Sequence, residues 1–182
     1  MTITTAVFAL LSWNVPVSRR LYHVTTTLLA LVSALAYFAM AAGHASSLSC
    51  HSVRDRHRHG IPDTFHDACR QVYWARYIDW LLANGLLLFN LCLLAGIDGA
   101  HTLMALVAHA VGVLAGLFAA FGKEHTAQKW GWFAISCLGY LFVVWHVGLH
   151  GTRAVQTKGA RVSKLWASLA IYSLAILAAY PM

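Results

Sequence analysis

The chain has 182 residues, of which 59% are hydrophobic and only 10% are charged, and its mean hydropathy is +0.63. A soluble domain carries about 25% charged residues, so this composition excludes an ordinary soluble domain and predicts a polytopic membrane protein. The net charge of +7 requires no nucleic-acid partner, because basic residues between apolar segments orient helices and contact lipid head groups.

The first two apolar segments are predicted to be membrane-spanning helices. Met1–Val17 would extend about 25 Å as a helix, less than a hydrocarbon core of about 30 Å, so we expect a short first span. Arg19 and Arg20 follow it directly, and a basic pair after the first span favours an N-terminus outside the membrane. Leu21–Gly43 is long enough for a full span, and we expect the threonines at positions 25 to 27 to bond to carbonyls of their own helix.

A polar segment, His44–Arg70, follows, in which arginines, aspartates and histidines alternate. A histidine-rich tract can bind metal, but the spacing matches no zinc signature and the arginines would repel a cation. We therefore predict a solvated loop without a metal site. Cys50 and Cys69 could form a disulfide if the loop is extracellular, but the sequence does not decide their pairing.

The third apolar segment, Gln71–Ala95, carries polar residues on one stripe. At about 100° per residue, Asp79 and Asn90 fall within about 20° of each other, and Arg76 lies one turn from Asp79. Ionisable groups inside a membrane usually face the bundle interior and serve a relay or a ligand. The alternative is that Arg76 and Asp79 form a mutually neutralised structural pair, which the spacing alone leaves open.

The residues around this stripe resemble a known family. Trp-Ala-Arg-Tyr-Ile-Asp-Trp at positions 74–80, followed by a leucine-rich run, is similar to the third helix of the microbial rhodopsins, the bacteriorhodopsin-like family, and most of all to its fungal opsins. The resemblance implies that Asp79 is the counter-ion and proton acceptor of a retinal Schiff base. It also implies that Trp80 stacks on retinal and that Arg76 controls the outward proton path. Asn90 stands at the proton-donor position and cannot titrate, which implies a slow, sensor-like cycle.

The fourth and fifth spans are predicted at His101–Phe121 and Lys129–His150. Small residues in the fourth span allow close helix approach. His109, near its middle, is interpreted as a hydrogen-bonded packing histidine, with ligand contact as the alternative. Trp132 either belongs to an aromatic belt at the membrane interface or begins a stretch that resembles the family's fifth helix.

A basic loop, Gly151–Ser163, is predicted before a sixth span, Lys164–Met182. The end of this span resembles the family's sixth helix, although Leu177 stands where the family carries a tryptophan. The retinal-binding positions that the resemblance implies are Tyr77, Trp80, Ala83, Trp132, Phe133, Ser136, Tyr140, Leu177, Tyr180 and Pro181.

The apolar segments account for six helices of a seven-helix fold. In the family a lysine of the seventh helix binds retinal, whereas the lysines here, at positions 123, 129, 158 and 164, are expected in loops or at helix ends. We therefore expect one rhodopsin-like transmembrane domain over residues 1–182, with a short first span and no seventh span. The chain is then either the product of a truncated gene model for an ordinary opsin or a diverged relative that no longer binds retinal covalently.

These observations predict an all-α transmembrane helical bundle in a lipid bilayer, with the plasma membrane as its expected location. The implied function is a retinal photoreceptor coupled to proton or ion transport, and the alternative is a non-photochemical opsin relative with a stress or chaperone role. An enzyme activity and a nucleic-acid partner are not expected, while a homo-oligomer and a signalling partner are left open. A generic six-span transporter would gain support from an internal repeat, and we find none in the sequence.

Overall fold

The computed structural model describes residues 2–13, 15–16, 20–55, 64–123 and 126–179. These residues form helices and one β-hairpin. The elements are α1 Thr2–Trp13, α2 Leu21–Ala41, β1 Ser47–Asp55, β2 Thr64–Val72, α3 Trp74–Ala95, α4 Gly99–Phe121, α5 Ala127–Lys158 and α6 Ala160–Ala179.

The helices α2 to α6 are each long and apolar enough to cross a membrane. Helix α1 has 12 residues and would extend about 18 Å, less than any of these five helices. Large apolar side chains such as Phe38, which is 73% exposed, and Ile171, which is 71% exposed, cover the outside of the bundle, where lipid can solvate them. The predicted transmembrane helical class is confirmed.

Helix α5 is longer than predicted. It continues as a π-helical segment at Val144–His150 and then on to Lys158, so the prediction of a loop beginning at Gly151 is wrong. The helix can continue because Gly151 has no side chain; a Cβ there would lie 2.3 Å from Cζ2 of Trp166 in α6. The chain turns only at Gly159, whose φ of +94° is a conformation that glycine adopts readily.

The polar segment between α2 and α3 is a β-hairpin, which corrects the prediction of a solvated loop. Strands β1 and β2 are antiparallel, and their register sets Cys50 opposite Cys69. The two cysteines form a disulfide, which joins the strands covalently. The hairpin lies against the end of α4, because Arg70 donates a hydrogen bond to the Ala120 carbonyl and His51 Nε2 donates to the Phe121 carbonyl at 3.2 Å.

The hydrophobic core lies among α3, α4, α5 and α6, and Trp166 is its largest fully buried side chain. The Trp166 indole Nε1 donates to the Leu91 carbonyl at 3.1 Å, so its one polar atom is satisfied inside the core. The buried residues of this core are Leu88, Leu91, Cys92, Ala95, Ala105, Val143, Val147, Val155, Trp166, Ala170 and Leu177.

Candidate functional site

A cavity of about 710 Å³ lies between α3, α4, α5 and the end of α6. This volume falls within the range of about 300–1,000 Å³ that is usual for small-molecule sites. Aromatic and aliphatic side chains form much of its wall, and a few polar groups interrupt them. The predicted site residues that line it are Arg76, Tyr77, Trp80, Phe133, Ser136, Tyr140 and Leu177.

Helix α3 and the residue before it present a stripe of side chains to this cavity. Tyr73, Tyr77, Trp80 and Asn84 follow one another at helical spacing, and all four line the cavity. The rings of Tyr77 and Trp80 meet edge to face, with their centroids 5.2 Å apart. The Arg76 guanidinium carbon lies 6.0 Å from the ring centroids of Tyr73 and of Trp80, a distance at which ring faces attract a cation.

The middle of α3 is a π-helical segment, Trp80–Asn84. Such segments interrupt the regular helical hydrogen-bond ladder and are frequent at functional sites. Here the Trp80 carbonyl accepts a hydrogen bond from Nε2 of His109 at 3.0 Å. His109 is buried in α4 and hydrogen-bonded, as expected of a packing histidine, and it also lines the cavity.

Asp79 is buried, with 6% of its surface exposed, and is bonded to α2. The Ser33 hydroxyl donates a hydrogen bond to Asp79 Oδ1 at 2.6 Å. Within the part of the chain that the structure describes, no ion pair joins Arg76 to Asp79, because the arginine lies instead against aromatic rings. The neutralised pair that the spacing left open is therefore not the arrangement found.

Asn90 also contacts α2. The Thr25 hydroxyl lies 2.7 Å from Asn90 Oδ1 and 2.9 Å from the Leu21 carbonyl oxygen, so it bridges α3 and its own helix. Thr26 and Thr27 donate to carbonyls one turn back, as predicted for the whole triplet. Ser33 and Thr25 were not predicted from the sequence as partners of the polar stripe.

Close backbone contact between α4 and α5 supports the opposite wall of the cavity. A Cβ added to Gly139 would lie 2.9 Å from the Ala108 carbonyl oxygen and 2.9 Å from Cα of Gly112, so the two helices meet without intervening side chains. Tyr140, one residue further along α5, donates from its hydroxyl to the Leu174 carbonyl of α6 at 3.0 Å. This bond joins two cavity-forming helices directly.

Several predicted site residues either do not line the cavity or lie outside the residues that the structure describes. Asp79, Ala83 and Asn90 do not line the cavity. Neither does Trp132, whose ring packs against Phe118 with centroids 5.0 Å apart. Its neighbour Trp130 lines the cavity instead. The remaining predicted positions lie outside the residues that the structure describes; they are Tyr180 and Pro181.

The cavity also has lining residues that the sequence analysis did not select. Lys129 lines it, although the sequence placed this lysine only at a helix end. Other unselected lining residues come from β2, from the segment that follows it, and from α3, and include Arg70, Gln71, Val72, Tyr73 and Asn84. Among the residues described here, no group of three or more histidines, cysteines or acidic residues could hold a metal ion.

Comparison with known proteins agrees with this architecture. A family model described as bacteriorhodopsin-like protein matches residues 1–182. The chain is 57% identical to Opsin-1 of Neurospora crassa over 183 residues, which cover 100% of this chain and 60% of Opsin-1. It is 31% identical to an opsin-like protein of Fusarium fujikuroi over 155 residues, which cover 82% of this chain and 48% of that protein. The chain thus spans about half to three fifths of the length of these curated relatives.

Solved structures show the same similarity. A light-driven proton pump from Leptosphaeria maculans superposes with a TM-score of 0.91 at 50% identity, covering 99% of this chain and 72% of the pump. A light-driven proton pump from Coccomyxa subellipsoidea superposes with a TM-score of 0.85 at 27% identity, covering 99% of this chain and 73% of that one.

Proposed function

The chain belongs to the bacteriorhodopsin-like family of microbial rhodopsins, and on this basis we propose that it forms the retinal-binding and proton-handling part of a fungal-type photoreceptor. The observation that supports this proposal most directly is the cavity among α3, α4, α5 and α6, whose wall includes Arg76, Tyr77 and Trp80, the residues around the buried Asp79 in α3. The light-driven proton pumps with similar structures point to the same chemistry.

The cavity wall fits an elongated apolar ligand such as retinal. Trp80 of α3 and Phe133 and Tyr140 of α5 offer flat aromatic surfaces, and Leu177 of α6 contributes an aliphatic one. When bound, retinal supplies light absorption and a light-driven change of shape. The protein residues then have to hold it, exclude water and move protons.

Three residues of α3 are proposed to handle the proton at different depths. Asp79 supplies a buried carboxylate that can balance a positive charge in the cavity and accept its proton. Arg76 lies one turn closer to the hairpin, where its charge can influence proton release on that side. Asn90 lies about 16 Å from Asp79 towards the other end of α3 and cannot titrate, so we propose slow proton uptake and a sensor-like cycle.

The experiment uses the chain together with a separate seventh helix, bearing its lysine, from a fungal opsin. Membrane helices can associate after separate insertion, so a pocket assembled from two pieces is feasible. After addition of all-trans retinal we expect a visible absorption band and an adduct that borohydride traps on the added helix. A fungal opsin split at the same place is the matched control.

The absorption and trapping results distinguish the photochemical proposal from the non-photochemical alternative. A coloured control beside a colourless complex of this chain would contradict the photochemical proposal and would favour the non-photochemical opsin relative. We expect no trapped adduct on the 182-residue chain alone, since Lys158 packs against Gly96 and Lys129 extends from the first turn of α5. An adduct mapped to Lys129 would show that this cavity-lining lysine can replace the family's lysine.

A further inference from the structure

A hydroxyl of α2 contacts the buried carboxylate of α3. Ser33 is 6% exposed, as is Asp79, and its Oγ donates to Asp79 Oδ1 at 2.6 Å. This distance is in the range of about 2.5–2.7 Å that is typical of a hydroxyl bonded to a carboxylate. Because both groups are buried, water cannot readily replace the serine as a donor.

Within α3 itself, the neighbouring side chains do not hold the Asp79 carboxylate in place. The residues one turn away on the same buried stripe are Ala75 and Ala83, neither of which has a polar side chain. Arg76, three residues before Asp79, lies against aromatic rings instead. The χ2 torsion angle of an aspartate has a broad distribution, so a carboxylate without a hydrogen-bond donor would sample several orientations.

A second contact fixes the register between the two helices. Along α2, Thr25 lies eight residues before Ser33, whereas along α3 its partner Asn90 lies after Asp79. The two contacts therefore join antiparallel helices at two separate levels. The Thr25 contact would keep α2 and α3 aligned even if the Ser33 hydroxyl were removed. Loss of that hydroxyl should therefore act locally on Asp79.

We propose that Ser33 is the positioning residue of the Asp79 carboxylate. Its hydroxyl holds Oδ1 towards α2 and thereby fixes the direction in which the other oxygen can meet a proton or a positive charge. The inference rests on the proposed function for its biological meaning, because Asp79 is the proton acceptor only in that proposal. It can nevertheless be tested without any chromophore.

The test is infrared spectroscopy of the whole 182-residue chain in lipid nanodiscs, with aspartate carboxyl groups labelled with ¹³C. The band that disappears in Asp79→Asn identifies the carboxyl group of interest. We expect this band to shift and broaden in Ser33→Ala, and to return close to its original position and width in Ser33→Thr, which restores a hydroxyl. Thr27→Val is the matched control, since the Thr27 hydroxyl bonds only within its own helix in the structure.

An unchanged Asp79 band in Ser33→Ala would overturn the proposal, and so would an equal change in Thr27→Val. If the alanine variant does not fold, Ser33→Cys takes its place, because a thiol is a weak donor and should also shift the band. In the pigment complemented with a seventh helix, Ser33→Ala should shift the absorption maximum and Ser33→Thr should restore it. Absence of any pigment would contradict the proposed function, while the infrared band would still decide the role of Ser33.

Discussion

Arg76 and Asp79 are three residues apart in the sequence, yet the structure gives them different surroundings. Asp79 is buried and bonded to α2, whereas Arg76 is exposed and lies against the rings of Tyr73 and Trp80. A charge that does not pair with its neighbour is available for another partner. This separation supports a proton-handling role for Asp79 more than a purely structural one.

Replacement of this carboxylate tests its role directly. In the complemented pigment we expect Asp79→Asn to change the absorption maximum and to abolish light-driven proton movement, because the shape is kept while the negative charge is lost. The measurement is the absorption spectrum together with the pH change on illumination. Asp98→Asn is the control, since Asp98 is exposed and caps the N-terminus of α4 in the turn that follows α3. An unaltered spectrum and photocycle in Asp79→Asn would refute the assignment.

Family resemblance together with helical spacing identified Arg76, Tyr77 and Trp80 as site residues, and all three line the cavity. Resemblance and spacing were insufficient for Ser33, since the residue that meets Asp79 depends on how two helices are aligned in space. The resemblance implied Ala83 as a retinal-binding position, but Ala83 belongs to the buried stripe of α3, and the neighbouring stripe lines the cavity.

At the scale of helices, close approach between α4 and α5 depends on small residues. We expect Gly139→Ala to lower the free energy of unfolding by about 1–3 kcal/mol, because the new Cβ would press on backbone atoms of α4 that cannot rotate away. The measurement is unfolding by a denaturing detergent. Gly131→Ala is the matched control in the same helix, as its Cβ would meet nothing within 4 Å. Equal stability of the two variants would contradict the packing argument.

The contact between α5 and α6 leads to a related prediction. Gly151→Ala should lower the midpoint of the same detergent titration, because its Cβ would overlap the buried Trp166 ring, the largest fully buried side chain. Gly148→Ala, whose nearest neighbour would be a Val144 methyl group at 4.0 Å, should leave the midpoint nearly unchanged or raise it. A Gly151→Ala protein as stable as Gly148→Ala would show that the indole can move aside at little cost.

The positions of the apolar helices were predicted more accurately from the sequence than the residues at which the helices end. Basic residues after His150 suggested a loop, but a charged side chain on a helix can extend to the membrane surface, so charge alone does not end a helix. Gly159 ends α5 by adopting a positive φ, and the sequence offered other glycines that could have done so. The π-helical segments were likewise not predictable, because they arise from packing between helices.

At the scale of the whole molecule, the hairpin differs in kind from the prediction, because paired strands lie where a loop was expected. Its histidines and arginines were read as a solvated loop, since the two strands are polar and show little of the apolar alternation that usually marks a strand. The pairing comes from cross-strand hydrogen bonds and from the bond between Cys50 and Cys69. Neither the hydrogen bonds nor the disulfide could be predicted from the sequence of one strand alone.

The disulfide can be tested by counting thiols. In denaturant without a reductant we expect two of the 4 cysteines to react with a maleimide, Cys92 and Cys137, and all of them to react after reduction. A Cys50→Ser, Cys69→Ser double variant should lose roughly 2–4 kcal/mol of stability, whereas Cys137→Ser should lose much less. Four reactive thiols before reduction would show that the bridge does not form.

The bridge has a consequence for how the protein is made. Disulfides form and persist in oxidising compartments, and the cytosol keeps thiols reduced. A disulfide between Cys50 and Cys69 therefore indicates which side of the bilayer the hairpin reached during biosynthesis. If the bond forms during biosynthesis, the ends of α2 and α3 that meet the hairpin face the oxidising side of the membrane, and the turn between α3 and α4 faces the reducing side. The redox state of two cysteines thus reports the orientation of the entire bundle.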